Sequence, residues 1–394
     1  MRCLVVVVLA LISAGPAPAV ELFHFFSRDQ VKRLNKKLDG QVLDFTFNHG
    51  CDRRLYSNSL GEKRDIYIYV PPGYDGKARF PAILWLHGLG QDERSFLEII
   101  EYFDRGIRDG TVPPAVIIAP DGSVRGTPAI FNTGSFYLNS KAGNFEDYII
   151  QDVWGFLKTH YAIRPEREAH MIAGASMGGF GAFNLAFKHK AEFGLIAGAM
   201  PPLNLRYTDV HGNYFGDYYP GMATFRNEVP RNAIIGRFYG VILIRSRRLL
   251  DPLVGRRPAD ALGFVSRENP IEMLEAYNVQ PGDYEMFIGY GTKDEFNIDA
   301  QAQHFVEVAN RRGIRPEVHC VPGGHHNVSA GLAMVPQISQ WILQRFAKFI
   351  PPGYKSSGRC GTLTPHCAIR QPIHFPSDPG YFGLSRDASP TKLP

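Results

Sequence analysis

Cysteine, tryptophan and long apolar runs are all scarce in this chain of 394 residues, which has five cysteines and three tryptophans. No Cys-x-x-Cys pair is present, and no Cys/His spacing is of the kind that binds zinc. Beyond the first residues, no segment approaches the about 18 consecutive apolar residues that a membrane span requires. We therefore expect no metal, no organic cofactor and no stable membrane insertion.

The charge of the chain also excludes a class of partner. The formal net charge is +5, and much of the basic excess falls after residue 350. The body of the chain shows no basic stripe interleaved with aromatic residues, which nucleic-acid binding would require. We expect no nucleic-acid partner.

The N-terminus has the pattern of a secretory signal peptide. Arg2 precedes an apolar run over residues 4–12, and Ala17-Pro18-Ala19 resembles a cleavage site. A membrane anchor is the alternative, but the run is too short to cross a bilayer. We expect cleavage after Ala19 and a secreted or periplasmic protein.

Four cysteines follow this segment, namely Cys51, Cys320, Cys360 and Cys367. In an oxidising compartment they permit two disulfides, in any of three pairings. Cys360 and Cys367 are close in sequence and could pair, which would leave Cys51 with Cys320. Sequence spacing does not decide among the three.

Strands and helices alternate between residues 61 and 350. The apolar patterns predict strands at 65–70, 82–86, 116–119, 169–173, 195–199, 285–290 and 316–321. Helical spacing predicts helices at 93–105, 146–160, 177–188, 300–312 and 335–350. Such alternation predicts an α/β fold with a mostly parallel sheet and helices on both faces. Ligand sites in such sheets lie at the carboxyl ends of the strands.

Three segments depart from this pattern. Residues 20–60 form a polar lead-in with one amphipathic helix starting near Leu22. Residues 201–265 are rich in Tyr, Phe, Gly, Pro and Arg, and we interpret them as an insertion folded over the site as a lid. A peripheral excursion is the alternative. Residues 351–394 are rich in Pro, Gly and Ser, which predicts a tail that is disordered or lies on the surface.

The most informative motif is Gly174-Ala175-Ser176-Met177-Gly178, between a predicted strand and a predicted helix. Gly-x-Ser-x-Gly in this context is typical of a nucleophile elbow. The glycines remove Cβ atoms where strand and helix come together at the turn. Ser176 is therefore the candidate nucleophile.

A serine nucleophile needs a histidine base and an acid that orients the base. Asp294 follows the strand at 285–290 and is the candidate acid, with Glu295 and Asp283 as rivals. His325 and His326 lie on a glycine-rich loop after the last strand. Adjacent histidines point in different directions, so we expect only one of them to be the base. We do not expect the two histidines to form a metal site, because no third ligand lies near them at metal-binding spacing.

An oxyanion hole would complete the site. The segment Leu86-His87-Gly88-Leu89-Gly90 ends an early buried strand, where a second backbone donor is expected. We assign the donors to the N–H groups of Leu89 and Met177. The His87 side chain is expected to support the loop and to transfer no proton.

At this point the motifs resemble a known family. RDIYIYVPPGYD (64–75), WLHGLG (85–90), PDG (120–122), SFYLN (135–139), NFEDYI (144–149) and GASMGGFGA (174–182) occur in this order. With the segments 291–294 and 323–325, they resemble the "Putative esterase" family, which includes esterase D, feruloyl esterases, tributyrin esterases and mycolyltransferases. The resemblance covers roughly residues 60–350 and implies an α/β-hydrolase fold. It also implies a triad of Ser176, Asp294 and His325, with His325 preferred to His326, although Asn327 replaces a Trp that the family often has.

The function expected from these residues is that of a secreted serine esterase. It would cleave a small-molecule or polysaccharide ester through an acyl-enzyme, with feruloyl or acetyl esters of polysaccharides as candidates. Two alternatives stay open, an acyltransferase of the mycolyltransferase type and a non-catalytic binding protein on the same fold. The sequence does not give the oligomeric state.

Overall fold

The computed structural model describes residues 30–48, 50–124, 134–256 and 260–356. The expected signal peptide, the start of the predicted lead-in helix, Cys360, Cys367 and the tail from residue 357 lie outside the described residues.

Eight strands form the central sheet in the order β1-β2-β4-β3-β5-β6-β7-β8. Their bounds are β1 Gln41–Phe45, β2 Ile66–Val70, β3 Ala82–Leu86, β4 Val116–Pro120, β5 His170–Ala175, β6 Leu195–Ala199, β7 Glu285–Gly291 and β8 Glu317–Val321. β2 runs antiparallel to β1 and β4, and the other neighbouring pairs are parallel. The predicted α/β fold with a mostly parallel sheet is confirmed, and β1 is an additional strand within the lead-in.

Ten helical segments connect or flank these strands in the described part of the chain. They are α1 Gln30–Leu34, α2 Ser95–Arg108, α3 over 145–160 (π-helical at Tyr148–Trp154), α4 Met177–Lys188, α5 Ser246–Val254, α6 Ala261–Arg267, α7 Pro270–Ala276, α8 Ile298–Arg311, α9 Val328–Ala333 and α10 Val335–Phe346. Short 3₁₀ turns lie at Arg167–Ala169 and Ala347–Phe349.

Two apolar cores form, one on each face of the sheet. Residues of α3, α4, α7 and α8 pack on one face. Residues of α1, α2 and α10 pack on the other. This layering explains why the inner strands are apolar throughout, because both of their faces are covered.

The strand register brings the candidate site residues to one edge of the sheet. Gly174 of β5 lies opposite Leu86 of β3, and Ala175 lies opposite Ala199 of β6. Further along, Gly291 of β7 lies opposite Val321 of β8. The segments that follow these strands therefore emerge side by side at their carboxyl ends.

The segment predicted to be an insertion contains small elements of its own. Ribbons pair Tyr207–Thr208 with Thr224–Phe225, and Ile234–Phe238 with Ile242–Arg245. The helices α5 and α6 follow. Further ribbons pair Phe47–Asn48 with Cys51–Asp52, Leu55–Ser57 with Glu62–Arg64, and Asn139–Ser140 with Gly143–Asn144.

The described cysteines overturn the expectation of two disulfides, because each of the three pairings requires Cys320 to be bonded. Cys51 is disulfide-bonded, whereas Cys320 is a free thiol at the surface. Cys51 and Cys320 therefore do not pair with each other, and the partner of Cys51 lies outside the described residues. Within the described ranges, no helix is long and apolar enough to cross a membrane.

Candidate active site

Ser176 lies on a sharp turn between β5 and α4. Its φ of 54° and ψ of −117° are unusual for a residue with a side chain. A Cβ on Gly178 would lie 2.0 Å from the Leu86 carbonyl oxygen, and one on Gly174 would lie 2.5 Å from the Gly178 carbonyl carbon. The Ser176 N–H is held by the Ala199 carbonyl at 2.8 Å. The turn therefore requires both glycines, and it stores backbone strain at the serine.

His326 links Ser176 to Asp294. Its Nε2 lies 2.8 Å from the Ser176 Oγ, and its Nδ1 lies 2.7 Å from Oδ2 of Asp294. The Asp294 side chain is fully buried, and its Oδ1 accepts the Phe296 N–H at 2.9 Å. This is the arrangement in which an acid orients an imidazole toward a serine.

The geometry corrects the choice between the two histidines. His325 is half exposed, and its Nδ1 lies 2.8 Å from Oε1 of Glu295 rather than near Ser176 or Asp294. Oε2 of the same carboxylate accepts the backbone N–H of His326 at 2.7 Å. The backbone turns between the two residues, so their rings diverge, and His326 occupies the position that the sequence analysis gave to His325.

The rival acids have other partners. Glu295 bonds the His325 side chain and the His326 backbone, as described above. Asp283 lies at the far end of β7, where its carboxylate pairs with Lys190 at 2.5 Å. The predicted Asp294 is thus the acid that the fold brings to His326.

Electrostatics tune the imidazole of His326. Burial alone would lower its pKa, but the charge of Asp294, its hydrogen bond and the nearby Glu295 outweigh burial and raise the pKa. A raised pKa makes the imidazole a stronger proton acceptor. It also means that more of the ring is protonated, and therefore unable to accept a proton, at mildly acidic pH.

Two backbone N–H groups are available as oxyanion donors. Met177 is the first residue of α4, so its N–H has no acceptor within the helix. Among the described residues, neither the Leu89 N–H nor the Met177 N–H is hydrogen-bonded. Met177 directly follows Ser176, and Leu89 lines the same cavity as Ser176, so both N–H groups remain the candidates for binding an oxyanion.

Buried polar groups hold the Leu89 loop in place. His87 Nε2 accepts the Gly122 N–H at 2.9 Å, while its Nδ1 lies 2.9 Å from the Gly88 carbonyl. The buried Tyr137 donates its hydroxyl to the His87 carbonyl at 2.8 Å. Burial lowers the pKa of His87, despite an opposing effect of Asp121. The ring is therefore neutral, and its hydrogen bonds hold the loop in place. The sequence analysis predicted this supporting role for His87.

Tyr137 and Gln91 were not singled out from the sequence, and Glu295 was considered only as a rival acid. Gln91 accepts the Gly88 N–H through its Oε1 at 2.8 Å. The SFYLN and PDG motifs marked the neighbourhood of Tyr137 but not its role. Within the described ranges, no group of three or more His, Cys, Asp or Glu residues is arranged to hold a metal ion.

Two apolar cavities lie near the triad, and Ser176 and His326 line the first of them. The first, here called the sheet cavity, encloses about 1450 Å³ including its mouth and reaches from Ser176, Leu89 and His326 to the space between α2 and α10. Its floor is the sheet, where Ala173 and Ala197 leave room, and its walls include Trp85, Phe103 and Phe287.

The second cavity, here called the insertion pocket, lies between the segment 201–265 and the body. It encloses about 880 Å³ including its mouth, and Phe136, Phe180 and Phe296 form its inner wall. Leu249, Leu250 and Leu253 of α5 are among the residues on the outer side. The insertion therefore covers an apolar space that is separated from His326 by the ring of Phe296.

The strained serine turn, the hydrogen-bonded triad and the paired N–H donors on a mostly parallel sheet define the class of serine hydrolases with an α/β-hydrolase fold. Within this class the chain belongs to the family described as "Putative esterase", which it matches over residues 57–331. The resemblance noted from the motifs is thereby confirmed.

Individual relatives agree with this assignment. Over 286 residues the chain is 25% identical to "Esterase MT1326" of Mycobacterium tuberculosis, which covers 69% of this chain and 54% of that protein. The chain thus spans about half the length of the curated relatives it matches.

Solved structures show the same fold. A ferulic acid esterase superposes with a TM-score of 0.55 at 15% identity, covering 78% of this chain and 99% of its own. The fluorophosphonate-binding serine hydrolase FphF of Staphylococcus aureus superposes with a TM-score of 0.53 at 14% identity, covering 77% and 98%.

Proposed function

We propose that the protein hydrolyses carboxylic esters, with Ser176 as nucleophile, His326 as general base and acid, and Asp294 as the group that orients His326. The observation that carries this proposal is the unbroken hydrogen-bond chain from Asp294 through His326 to Ser176. Membership of the esterase family supports the type of bond that is cleaved.

The geometry is suited to a two-step reaction. His326 Nε2 takes the proton of the Ser176 hydroxyl while Oγ attacks the acyl carbonyl, and the Leu89 and Met177 N–H groups bind the oxyanion. His326 then gives the proton to the leaving alcohol. Water, activated by the same imidazole, attacks the acyl-enzyme and releases the acid. Each oxyanion donor contributes on the order of 3 kcal/mol to the transition state.

The sheet cavity favours an apolar acyl group of some size. It opens at Ser176 and at the oxyanion donor Leu89, so an acyl group attached to Ser176 faces it. An acetyl group would leave most of this cavity empty, whereas a feruloyl group presents an aromatic ring to Trp85 and Phe287. We therefore prefer esters of feruloyl-type acids to acetyl esters as substrates.

Export is part of the same proposal. The expected signal peptide motivates it, and the disulfide at Cys51 supports an oxidising compartment.

The first test is labelling of the purified protein by a fluorophosphonate probe, followed by peptide mapping. We expect label on Ser176, loss of label in Ser176→Ala and His326→Ala, and turnover of methyl ferulate. The variant His325→Ala is the matched control and should still be labelled. Absence of label from the folded wild-type protein would contradict the proposal and favour a non-catalytic binding protein.

A further inference from the structure

The insertion pocket contains one positive charge without an ionic partner. Of the charged residues that line it, Arg206 pairs with Glu272 at 2.5 Å, and Glu268 pairs with Lys188 at 2.7 Å. Arg226 also lines the pocket, yet its guanidinium has no ion pair or side-chain hydrogen bond to any described residue. Glu228 is exposed and forms no ion pair with it.

Arg226 is nevertheless held in place. Its guanidinium carbon lies 4.6 Å from the ring centre of Tyr214. Tyr214 in turn donates its hydroxyl to the Phe296 carbonyl at 2.9 Å and accepts Gln301 Nε2 at 3.0 Å. Stacking on an aromatic ring leaves the edge of the guanidinium, with its N–H donors, free to bind an anion.

Burial lowers the pKa of Arg226 despite opposing effects of Tyr214 and Glu228. The lowered pKa means that the guanidinium of Arg226 is partly removed from water and that nearby negative charges do not fully offset this loss of hydration. Such a charge gains more from an added anionic partner than an exposed arginine would.

The insertion pocket adjoins the base of the triad through Phe296. His326 must protonate the leaving oxygen, so the alcohol part lies next to its ring. The Phe296 ring packs edge-on against His326 at 4.8 Å and also lines the insertion pocket. The sheet cavity borders Ser176, Leu89 and the other side of the His326 ring, and the acyl group proposed above occupies it, which leaves the insertion pocket for the alcohol part.

We propose that the insertion pocket binds the alcohol part of the ester and that Arg226 selects alcohols that have an apolar or aromatic body ending in a carboxylate. The proposal rests on the esterase function proposed above. It adds that the leaving alcohol has a negative charge. A planar guanidinium with parallel N–H donors matches the two oxygens of a carboxylate.

The test compares two esters that share a butyryl group. In one the alcohol part is hydroxyphenylpropanoate, and in the other it is the methyl ester of the same compound. Because the acyl-enzyme is identical, differences in kcat/KM report the alcohol side alone. We expect the wild-type protein to prefer the anionic ester by about tenfold or more.

Arg226→Met should bring this preference to about one. Arg237→Met is the matched control, because Arg237 stacks on Phe215 at 4.1 Å in the same insertion but does not line the pocket. It should keep the wild-type preference. An unchanged preference in Arg226→Met, or an equal loss on both esters, would overturn the assignment.

Binding provides a readout that does not depend on catalysis. Calorimetry on Ser176→Ala should show hydroxyphenylpropanoate binding more tightly than its methyl ester, and Arg226→Met in the same background should remove the difference. If wild-type protein hydrolyses neither ester, the proposed function fails, while the calorimetric difference still decides the role of Arg226. Equal affinity for the acid and its methyl ester would overturn that role.

Discussion

Two adjacent histidines have different carboxylate partners, so mutating each one separately tests its role. His326 bonds Asp294 and Ser176, whereas His325 bonds Glu295 at the surface. We expect His326→Ala to lower kcat/KM by a factor on the order of 10⁴ or more, because Ser176 loses its proton acceptor. His325→Ala should cost about tenfold or less, since it removes only a partner of Glu295. Steady-state kinetics on a nitrophenyl ester measure both, and the reverse order would contradict the site.

Glu295 is a positioning residue because it binds the backbone of the base and the side chain of the preceding residue. Its charge also contributes to the raised pKa of His326. Since only neutral His326 accepts a proton, kcat/KM should rise with pH through a pKa above the ordinary histidine value of about 6.5.

Glu295→Gln removes this negative charge, so the acid limb of the pH profile should move to lower pH. At neutral pH kcat should fall by about tenfold, because the loop that carries His326 is less firmly held. Measuring kcat/KM between mildly acidic and alkaline pH tests this. A fall in kcat without any shift of the acid limb would leave Glu295 with a purely structural role.

These partners also explain where inference from sequence stopped. Gly-x-Ser-x-Gly between strand and helix was sufficient to find Ser176, and the chain order found Asp294. The choice between His325 and His326 depends on which backbone N–H the Glu295 carboxylate accepts, and that contact joins residues 31 positions apart. Likewise, the partners of Arg226 and Tyr137 are set by tertiary packing and leave no pattern in the sequence.

At the scale of elements, the serine turn depends on space that only glycine leaves. In Gly178→Ala the new methyl would collide with backbone at Leu86, which cannot move aside as a side chain could. We expect a loss of about 3 kcal/mol or more in the free energy of unfolding, measured by urea titration, together with loss of fluorophosphonate labelling.

Gly331→Ala is the control for this change. Gly331 lies within α9, and a Cβ there would meet only a methionine methyl at 3.7 Å. Replacing a helical glycine by alanine should stabilise the protein by up to about 1 kcal/mol. If Gly178→Ala were as stable as Gly331→Ala, the close approach at the elbow would have to be wrong.

The elements that sequence predicted best are those covered on both sides. Ala82–Leu86, Leu195–Ala199 and Met177–Lys188 have the predicted bounds, because buried apolar runs end where the chain leaves the core. Gln41–Phe45 was missed, since its five residues show little pattern until they pair with β2 at the edge of the sheet. The hairpin at Ile234–Phe238 is mostly half exposed, so its apolar residues do not alternate as those of a sheet with one buried face do.

At the scale of the whole molecule, the two cavities offer separate spaces for the two parts of an ester substrate. The sheet cavity is lined by Ser176, Leu89 and His326, whereas the insertion pocket lies behind Phe296, whose ring packs on His326. In the proposed assignment, the acyl part of an ester bound at Ser176 occupies the sheet cavity and the alcohol part occupies the insertion pocket. The segment 201–265 lines the insertion pocket, so we expect substitutions in it to alter selectivity for the alcohol more than selectivity for the acid.

The covalent state of the cysteines is a property of the whole molecule that links stability to compartment. Cys51 is bonded whereas Cys320 is free and exposed. Iodoacetamide should therefore alkylate Cys320 but not Cys51 in the native, unreduced protein, as peptide mass spectrometry would show. Cys51→Ser should lower the free energy of unfolding by about 2–5 kcal/mol, because the unfolded chain regains the freedom that the cross-link removes.

Cys320→Ser is the control and should leave the free energy of unfolding unchanged. A reductant should destabilise the wild-type protein but not the Cys51→Ser variant. Alkylation of Cys51 in the unreduced protein would contradict the bond, and it would also remove the structural support for export to an oxidising compartment.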